Sequence, residues 1–334
     1  MKKNLMIHTP EGFRDIYSGE QKRKREMMQK LHRIFEEYGY EDIETPTVEY
    51  FDVFGSRVGT TPSSDLYKFF DRDGNTLVLR PDFTPSVARA VSMHFGPEGM
   101  PYRFCYQGST FVNSQEYQLN LKEQTQMGVE LIGDSSAMAD AEILRLTCDL
   151  LKASGLTEFQ VSVGENNYFK SLAQDSGLSE ERIEEVRQMI SNKNFFGVGE
   201  LLDGCEVPAP IRDAFVRLPQ LFGGAEVLDA AEKYAINEGS RDSIRRLREI
   251  GSRMEESGYS RYMSYDFGLL SKYHYYTGVI FSAFTYGTGE PVAKGGRYDN
   301  LLVHFGMDAP AVGVGLCIDL LGNALMRQGI RPEG

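Results

Sequence analysis

Apolar residues in the stretch 18–38 recur at the spacing of one helix face: Met27, Leu31, Ile34 and Phe35 fall in register, and Ser18 stands where an N-cap is expected. The pattern then shifts to strand-like runs at 41–44 and 69–79, the second interrupted by Asp71-Arg72-Asp73-Gly74-Asn75. An Asp-Gly step between hydrophobic flanks predicts a hairpin. Residues 85–95 predict a helix and 102–112 a strand. Over 124–132, Gln126, Gly128 and Glu130 alternate with Met127, Val129 and Leu131, giving a strand with one polar and one apolar face. A helix over 136–153 and a strand over 159–163 follow.

Residues 167–258 change character. Amphipathic helical patterns at 180–191, 225–234 and 240–257 are joined through Pro208, Pro210, Pro219 and Gly-rich turns. Strands resume at Met263, with hairpin patterns at 277–285 and 290–293 and an apolar strand-to-helix segment at 311–326. Strands and helices do not alternate as βαβ units, and hairpins imply antiparallel pairing. The expected class is α+β: an antiparallel sheet flanked by helices, built from residues 1–166 and 259–334, with a mostly helical insertion at 167–258.

Composition narrows the function classes. The chain has 334 residues, 41% hydrophobic and 25% charged, the balance of an ordinary globular protein. A net charge of −12 argues against binding nucleic acid through a basic face. The basic run Lys22-Arg23-Lys24-Arg25 is surrounded by Glu20, Glu26, Glu36 and Glu37 and reads as a solvated helix face. The cysteines at 105, 148, 205 and 317 form no CxxC pair, which excludes a zinc ribbon or a secreted disulfide framework and predicts buried thiols in a reducing compartment. No apolar run of about 18 residues is present for a membrane span. Met1-Lys2-Lys3-Asn4-Leu5 leads into no apolar stretch, so no signal peptide and a cytoplasmic location are expected. Walker A, nucleophile-elbow, HExxH and EF-hand patterns are missing. Gly287-Thr288-Gly289 and Gly313-Val314-Gly315 lack the third glycine of a dinucleotide fingerprint, and histidines 8, 32, 94, 274 and 304 lack metal-ligand spacing. No cofactor and no metal are expected.

What remains is a set of polar residues on predicted strands and at their ends: Arg80-Pro81-Asp82-Phe83-Thr84-Pro85, the pair Gln126 and Glu130, Tyr273-His274-Tyr275-Tyr276-Thr277, and Gly295-Gly296-Arg297-Tyr298-Asp299. Each alone is the composition of a structural network. Polar side chains gathered on one sheet face are costly to bury unless they bind each other or a ligand, and together these outline a pocket for a zwitterion with hydrogen-bonding groups.

Seven segments, EGFRDI, YGYEDIETPTVE, LVLRPDFTPSVAR, QTQMGVELIG, YHYYTGVIF, KGGRYDNLL and PAVGVGLCIDLL, occur in this order. Together they resemble the catalytic core of histidyl-tRNA synthetases, a class II aminoacyl-tRNA synthetase family. The resemblance implies a six-stranded antiparallel sheet flanked by helices and a dimer interface through the first motif, around Pro46. By family correspondence, Glu130 and Tyr275 face an imidazole, Asp82 and Thr84 an ammonium group, and Gln126 and Tyr276 complete the wall; Lys272 or Arg297 is left for the carboxylate.

Three departures stand against catalysis. The second motif's arginine is replaced by Val112, with Ser114 in place of its acid; Ser271 stands where the histidine-site arginine belongs; and the third motif ends in Asp319-Leu320 rather than Glu-Arg. Adenylate transfer depends on fixed positive charge, and loss of one such donor lowers the rate by on the order of 10²–10³. The sequence reaches Gly334 soon after the third motif, so no anticodon-binding domain is expected. A retained histidine pocket without the ATP-binding arginines resembles the regulatory subunits of ATP phosphoribosyltransferase, the synthetase paralogues of histidine biosynthesis. That resemblance implies a non-catalytic subunit that supports a short-form catalytic partner, senses L-histidine for feedback inhibition, and forms a homodimer within a hetero-octamer, without nucleic acid or membrane. The alternative is a diverged synthetase core or another amino-acid-adenylating enzyme, which needs substitutes for Val112, Ser271 and Leu320.

Overall fold

The structure, a computed structural model, describes residues 7–55, 58, 61–113, 121–271 and 275–330. Helix α1 (Ser18–Glu37) buries Met27, Leu31 and Phe35 as the periodicity predicts. Its cap differs: Tyr17 is the N-cap and makes no side-chain cap bond, and Ser18 is already helical. A two-residue strand β1 (Glu41–Asp42) follows. The next strands, β2 (Val48–Tyr50), β3 (Lys68–Phe70) and β4 (Thr76–Leu79), form a small sheet in the order β2-β4-β3. The predicted hairpin joins β3 to β4. Its turn is closed by Asp71, whose carboxylate accepts from the backbone N–H of Asp73 at 2.9 Å and Asn75 at 2.8 Å, with Gly74 at φ 85°.

Helix α2 (Thr84–His94) leads to the long strands β5 (Tyr102–Phe111) and β6 (Glu123–Ile132), then α3 (Ala137–Ser154) and β7 (Phe159–Glu165). A helical stretch follows: α4 (Asn166–Gln174), α5 (Glu180–Ser191), α6 (Phe195–Asp203), α7 (Ala209–Arg217), α8 (Glu226–Glu232) and α9 (Glu238–Glu256), with the short strand β8 (Phe222–Gly223) between α7 and α8. The chain returns to the sheet as β9 (Met263–Asp266), β10 (Val279–Thr285), β11 (Ala293–Arg297) and β12 (Ala311–Cys317), and α10 (Ile318–Arg327) follows.

Among the described residues the main sheet has nine strands in the order β1-β5-β6-β12-β11-β10-β7-β9-β8. Every pairing from β5 across to β7 is antiparallel, which matches the six-stranded core implied by the resemblance. The sheet as a whole is mixed, because β1 adds to β5 and β9 adds to β7 in parallel. A parallel pair cannot be closed by a tight turn and needs a crossover. The helices α4 to α9 supply the one between β7 and β9.

The alternation in β6 sorts the two faces. Met127, Val129 and Leu131 point into a large cluster that also holds Leu31 of α1, Leu144 of α3, Leu172 of α4 and Leu247 of α9, so the helical stretch and the sheet share one core. On the opposite face Phe83, Val87, Tyr106 and Tyr298 form a second cluster beneath α2. Gln126 and Glu130 emerge on that side.

Candidate functional site

Glu130 is the centre of the site. It is 1% exposed, and its carboxylate accepts from the hydroxyls of Thr84 at 2.6 Å, Tyr106 at 3.4 Å and Tyr298. Burial pushes its pKa up from 4.5 to about 8; the three hydroxyls oppose that rise and the nearby Asp82 carboxylate adds to it. Burial thus favours the protonated form of Glu130.

Glycines make the room. Gly313 in β12 is the cross-strand partner of Glu130, and a Cβ there would overlap Glu130 Oε2. A Cβ at Gly315 would overlap Gln126 Nε2, and one at Gly128 would overlap the Tyr106 hydroxyl. The GxG fragment that fails as a dinucleotide fingerprint is thus the floor of a cavity.

Asp82 sits just ahead of α2. Its carboxylate accepts from the Phe83 N–H at 2.7 Å and from Gln126 Nε2 at 3.4 Å, and burial raises its pKa. The preceding Arg80 faces away from the cavity: it donates to the carbonyls of Ser109 at 2.9 Å and Thr45 at 2.8 Å, and its guanidinium lies 3.8 Å from the centre of the Phe83 ring. Phe83 in turn stacks on Tyr106 with ring centroids 4.4 Å apart. This layer fixes the backbone that carries Asp82 and Thr84.

Tyr275 packs edge-on against Tyr298 at 5.9 Å and leans on Tyr276 at 4.4 Å. The Tyr276 carbonyl accepts from Asn166 Nδ2 at 2.8 Å and Lys170 Nζ at 2.7 Å, both on α4. One wall of the site is therefore tied directly to the helical stretch.

Asp82, Thr84, Gln126, Glu130, Tyr275 and Tyr276 all line a single cavity of about 140 Å³. A protein cavity of about 150 Å³ holds one benzene ring, so the space suits a small ring compound. Sequence reasoning missed Tyr106 and Tyr298 as partners of Glu130, although Tyr298 lies in the singled-out GGRYD segment. It also missed Lys294, the one lysine or arginine among the described residues that line the cavity.

Two of the departures take on a structural meaning. Val112 and Leu320 line the same cavity, so apolar side chains stand at two of the positions where the resemblance leads one to expect arginines. Ser271 uses its backbone carbonyl to accept from Arg187 Nη1 of α5 at 2.8 Å. Asp319 is buried beneath α1, where it pairs with Lys24 at 2.9 Å and accepts from the Thr125 N–H at 2.6 Å. Ser114, Lys272, Tyr273 and His274 lie outside the described residues.

Arg297 does not serve the carboxylate of a ligand. It is buried against α3, where it pairs with Asp140 at 2.7 Å and with Asp299 at 3.0 Å, and donates to the carbonyls of Asp134 at 3.0 Å and Ser136 at 3.3 Å. A guanidinium with this full set of acceptors has nothing left to offer the cavity.

Comparison with known proteins agrees with this architecture. The family model described as histidyl-tRNA synthetase matches residues 12–321. The ATP phosphoribosyltransferase regulatory subunit of Acetivibrio thermocellus is 39% identical over 98% of this chain and 78% of its own length. A crystal structure from Bacillus halodurans, described as an ATP phosphoribosyltransferase regulatory subunit/histidyl-tRNA synthetase, superposes with a TM-score of 0.89 at 34% identity, over 97% of this chain and 84% of that one. The histidine–tRNA ligase subunit of Alicyclobacillus acidocaldarius superposes at 0.82 with 28% identity, over 97% of this chain and 98% of that one. With the synthetase-like sheet complete and the cavity lined by Val112 and Leu320, the chain belongs to the ATP phosphoribosyltransferase regulatory subunits, the non-catalytic family built on the histidyl-tRNA synthetase fold.

Proposed function

We propose that this subunit binds L-histidine in the Glu130 cavity, assembles with a short-form catalytic phosphoribosyltransferase, and passes feedback inhibition to it. The observation that carries the reading is a buried, hydroxyl-held carboxylate at the end of a ring-sized cavity. An imidazole offers an N–H that needs such an acceptor. Asp82 and Thr84 take the ammonium group, Tyr275 packs on the ring, and Gln126 and Tyr276 close the wall. Lys294, which lines the same cavity, supplies a positive charge to match the carboxylate. No adenylation is assigned to this site, because Val112 and Leu320 put no positive charge where a phosphate would lie.

The assembly unit is a homodimer within a hetero-octamer. Support comes from the outward face of the small sheet, where Val48, Tyr50 and Phe69 are exposed and Tyr50 and Phe69 both pair with Leu77 across β4. An apolar face of this kind is expected to be covered by a partner. Action in the cytoplasm on a small metabolite, without nucleic acid, completes the reading; no helix among the described residues is long and apolar enough to cross a membrane.

The deciding experiment is co-purification with a short-form catalytic subunit, followed by the phosphoribosyltransferase assay with and without L-histidine. Complex formation with activity that falls as histidine is added supports the proposal. A complex equally active with and without saturating histidine would overturn the sensing role.

A further inference from the structure

A second cluster lies on the other face of the sheet, where spacing along the chain gives no warning of it. The parallel pairing of β1 with β5 sets Asp42 directly beside Cys105, and α1 lays His32 over that pair. Cys105 points into the α1 side of the sheet, whereas its neighbours Phe104 and Tyr106 point toward α2 and the Glu130 cavity. The imidazole Nε2, a carboxylate oxygen and the thiol sulfur all lie within 4.8 Å of one another.

We propose that His32, Asp42 and Cys105 form a binding site for a divalent transition-metal ion of the zinc class. Zinc holds nitrogen and oxygen at about 2.0–2.2 Å and sulfur at about 2.3 Å, so ligand atoms around a tetrahedral ion sit about 3.3–3.8 Å apart. The Asp42-to-Cys105 separation is 3.5 Å and the His32-to-Asp42 separation 2.9 Å, so a small outward movement of the exposed Asp42 side chain admits the ion. His32 Nδ1 faces the Glu36 carboxylate at 3.8 Å. Metal-bound histidines characteristically direct their second nitrogen to such a partner, which fixes the ring.

The donor set selects the ion. One sulfur, one imidazole and one carboxylate suit zinc or cobalt and disfavour magnesium and calcium, which take oxygen alone. His32, Asp42 and Glu36 border a groove of about 1270 Å³ between α1 and the sheet, which gives the ion a path in and leaves a fourth position for water. The groove carries basic residues such as Arg25 and Arg33 as well as acidic Glu44 and Glu123, so it is not a plain anion trap.

The test is cobalt titration of the full chain stripped of metal. The expected result is one equivalent bound per chain, with the near-ultraviolet thiolate-to-cobalt band and the visible bands of a tetrahedral ion, both bleached by zinc. Cys105→Ser should abolish the thiolate band, and His32→Ala or Asp42→Asn should weaken binding by at least about 100-fold; Glu36→Gln should weaken it by about tenfold. Asp42 is exposed, so Asp42→Asn keeps the test valid if Cys105→Ser fails to fold. Histidine affinity should be retained in every folded variant, since the Glu130 cavity is on the opposite face. Absence of a thiolate band in the wild type, or cobalt binding unchanged in both His32→Ala and Asp42→Asn, overturns the site.

Discussion

Glu130→Gln separates the charge of the site from its shape. The amide keeps an oxygen that can accept from Thr84, Tyr298 and an imidazole, but it cannot ionise. Burial pushes the Glu130 pKa up to about 8 without ligand, and a free imidazole has a pKa of about 6.5. The bound pair, imidazolium and carboxylate, carries one proton in total. Between these two values the free partners also carry one, on Glu130, so binding exchanges none. Above about 8 a proton must be taken up, and affinity falls about tenfold per pH unit; below about 6.5 one must be released, with the same slope. A hydrogen bond to a charged group contributes about 1.5–3 kcal/mol and a neutral one about 0.5–1.5, so the glutamine variant should bind histidine roughly fivefold to tenfold more weakly at pH 7. Glu130→Ala leaves the imidazole N–H and the three hydroxyls without their acceptor and should weaken binding by about tenfold to 150-fold.

The assay is calorimetry in two buffers of different protonation enthalpy, at pH 7.2 and 9. Histidine's own amino group titrates in this range, so the diagnostic quantity is the difference between wild type and Glu130→Gln. That difference should be near zero at pH 7.2 and about one proton at pH 9. Stability supplies an independent arm. Folding raises the Glu130 pKa, so its contribution is full below 4.5 and is lost as pH rises through about 8. At about 1.4 kcal/mol per pH unit, the loss amounts to up to about 5 kcal/mol, and Glu130→Gln should therefore resist denaturant better than wild type at pH 9. Equal histidine affinity and equal proton uptake in the two proteins would refute the reasoning and leave the cavity as inherited scaffold.

Purified protein should catalyse no histidine-dependent pyrophosphate exchange; exchange at a synthetase-like rate would contradict the role given to Val112 and Leu320. Gly313→Ala, whose new Cβ meets Glu130 Oε2, should cost about 1–3 kcal/mol of stability and give a flat histidine isotherm, and a normal isotherm would remove β12 from the site. Light scattering should find a dimer at micromolar concentration without added partner, and Tyr50→Asp with Phe69→Asp should convert it to monomer; a wild-type monomer would count against the small-sheet interface.

Local signals carried most of the fold. The α1 stripe, the Asp-Gly hairpin and the alternation in β6 were legible because each depends on residues only a few positions apart. The short helices α4, α6 and α7 were not, since nine residues give barely two helical turns over which to establish a period. The parallel additions of β1 and β9 were hidden for a different reason: their partners lie far off along the chain. The same division runs through the site. Gln126 and Glu130 were visible on one strand, whereas Tyr106, Tyr298 and the clearing glycines join them only through cross-strand register. Arg297 stayed an open alternative for the carboxylate because sequence supplies a charge without its direction; β11 turns that side chain to Asp140. The His32, Asp42 and Cys105 cluster shows the limit of spacing rules, since each member comes from a separate element.

Binding histidine regulates an enzyme only if the occupied and empty subunits differ in how they meet the partner. Among the described residues, α4 supplies a direct link of the required kind. Asn166 and Lys170, in the first turns of α4, both hold the carbonyl of Tyr276, and Tyr276 is a wall of the Glu130 cavity. A ligand that draws this wall inward moves the acceptor of two hydrogen bonds on α4, and α4 packs through Leu172 into the core it shares with α9. Lys170→Met keeps most of the side-chain volume and removes the donor. Histidine should still bind the variant, since Lys170 does not line the cavity, and the assembled enzyme should remain active. Feedback should fade. The coupling is reciprocal, so whatever factor histidine imposes on the partner equilibrium, the partner imposes on histidine affinity, typically about 5-fold to 150-fold. Measuring histidine affinity with and without the catalytic subunit gives that factor directly. In Lys170→Met it should approach one; a factor equal to that of the wild type would mean that the signal leaves the cavity by another wall.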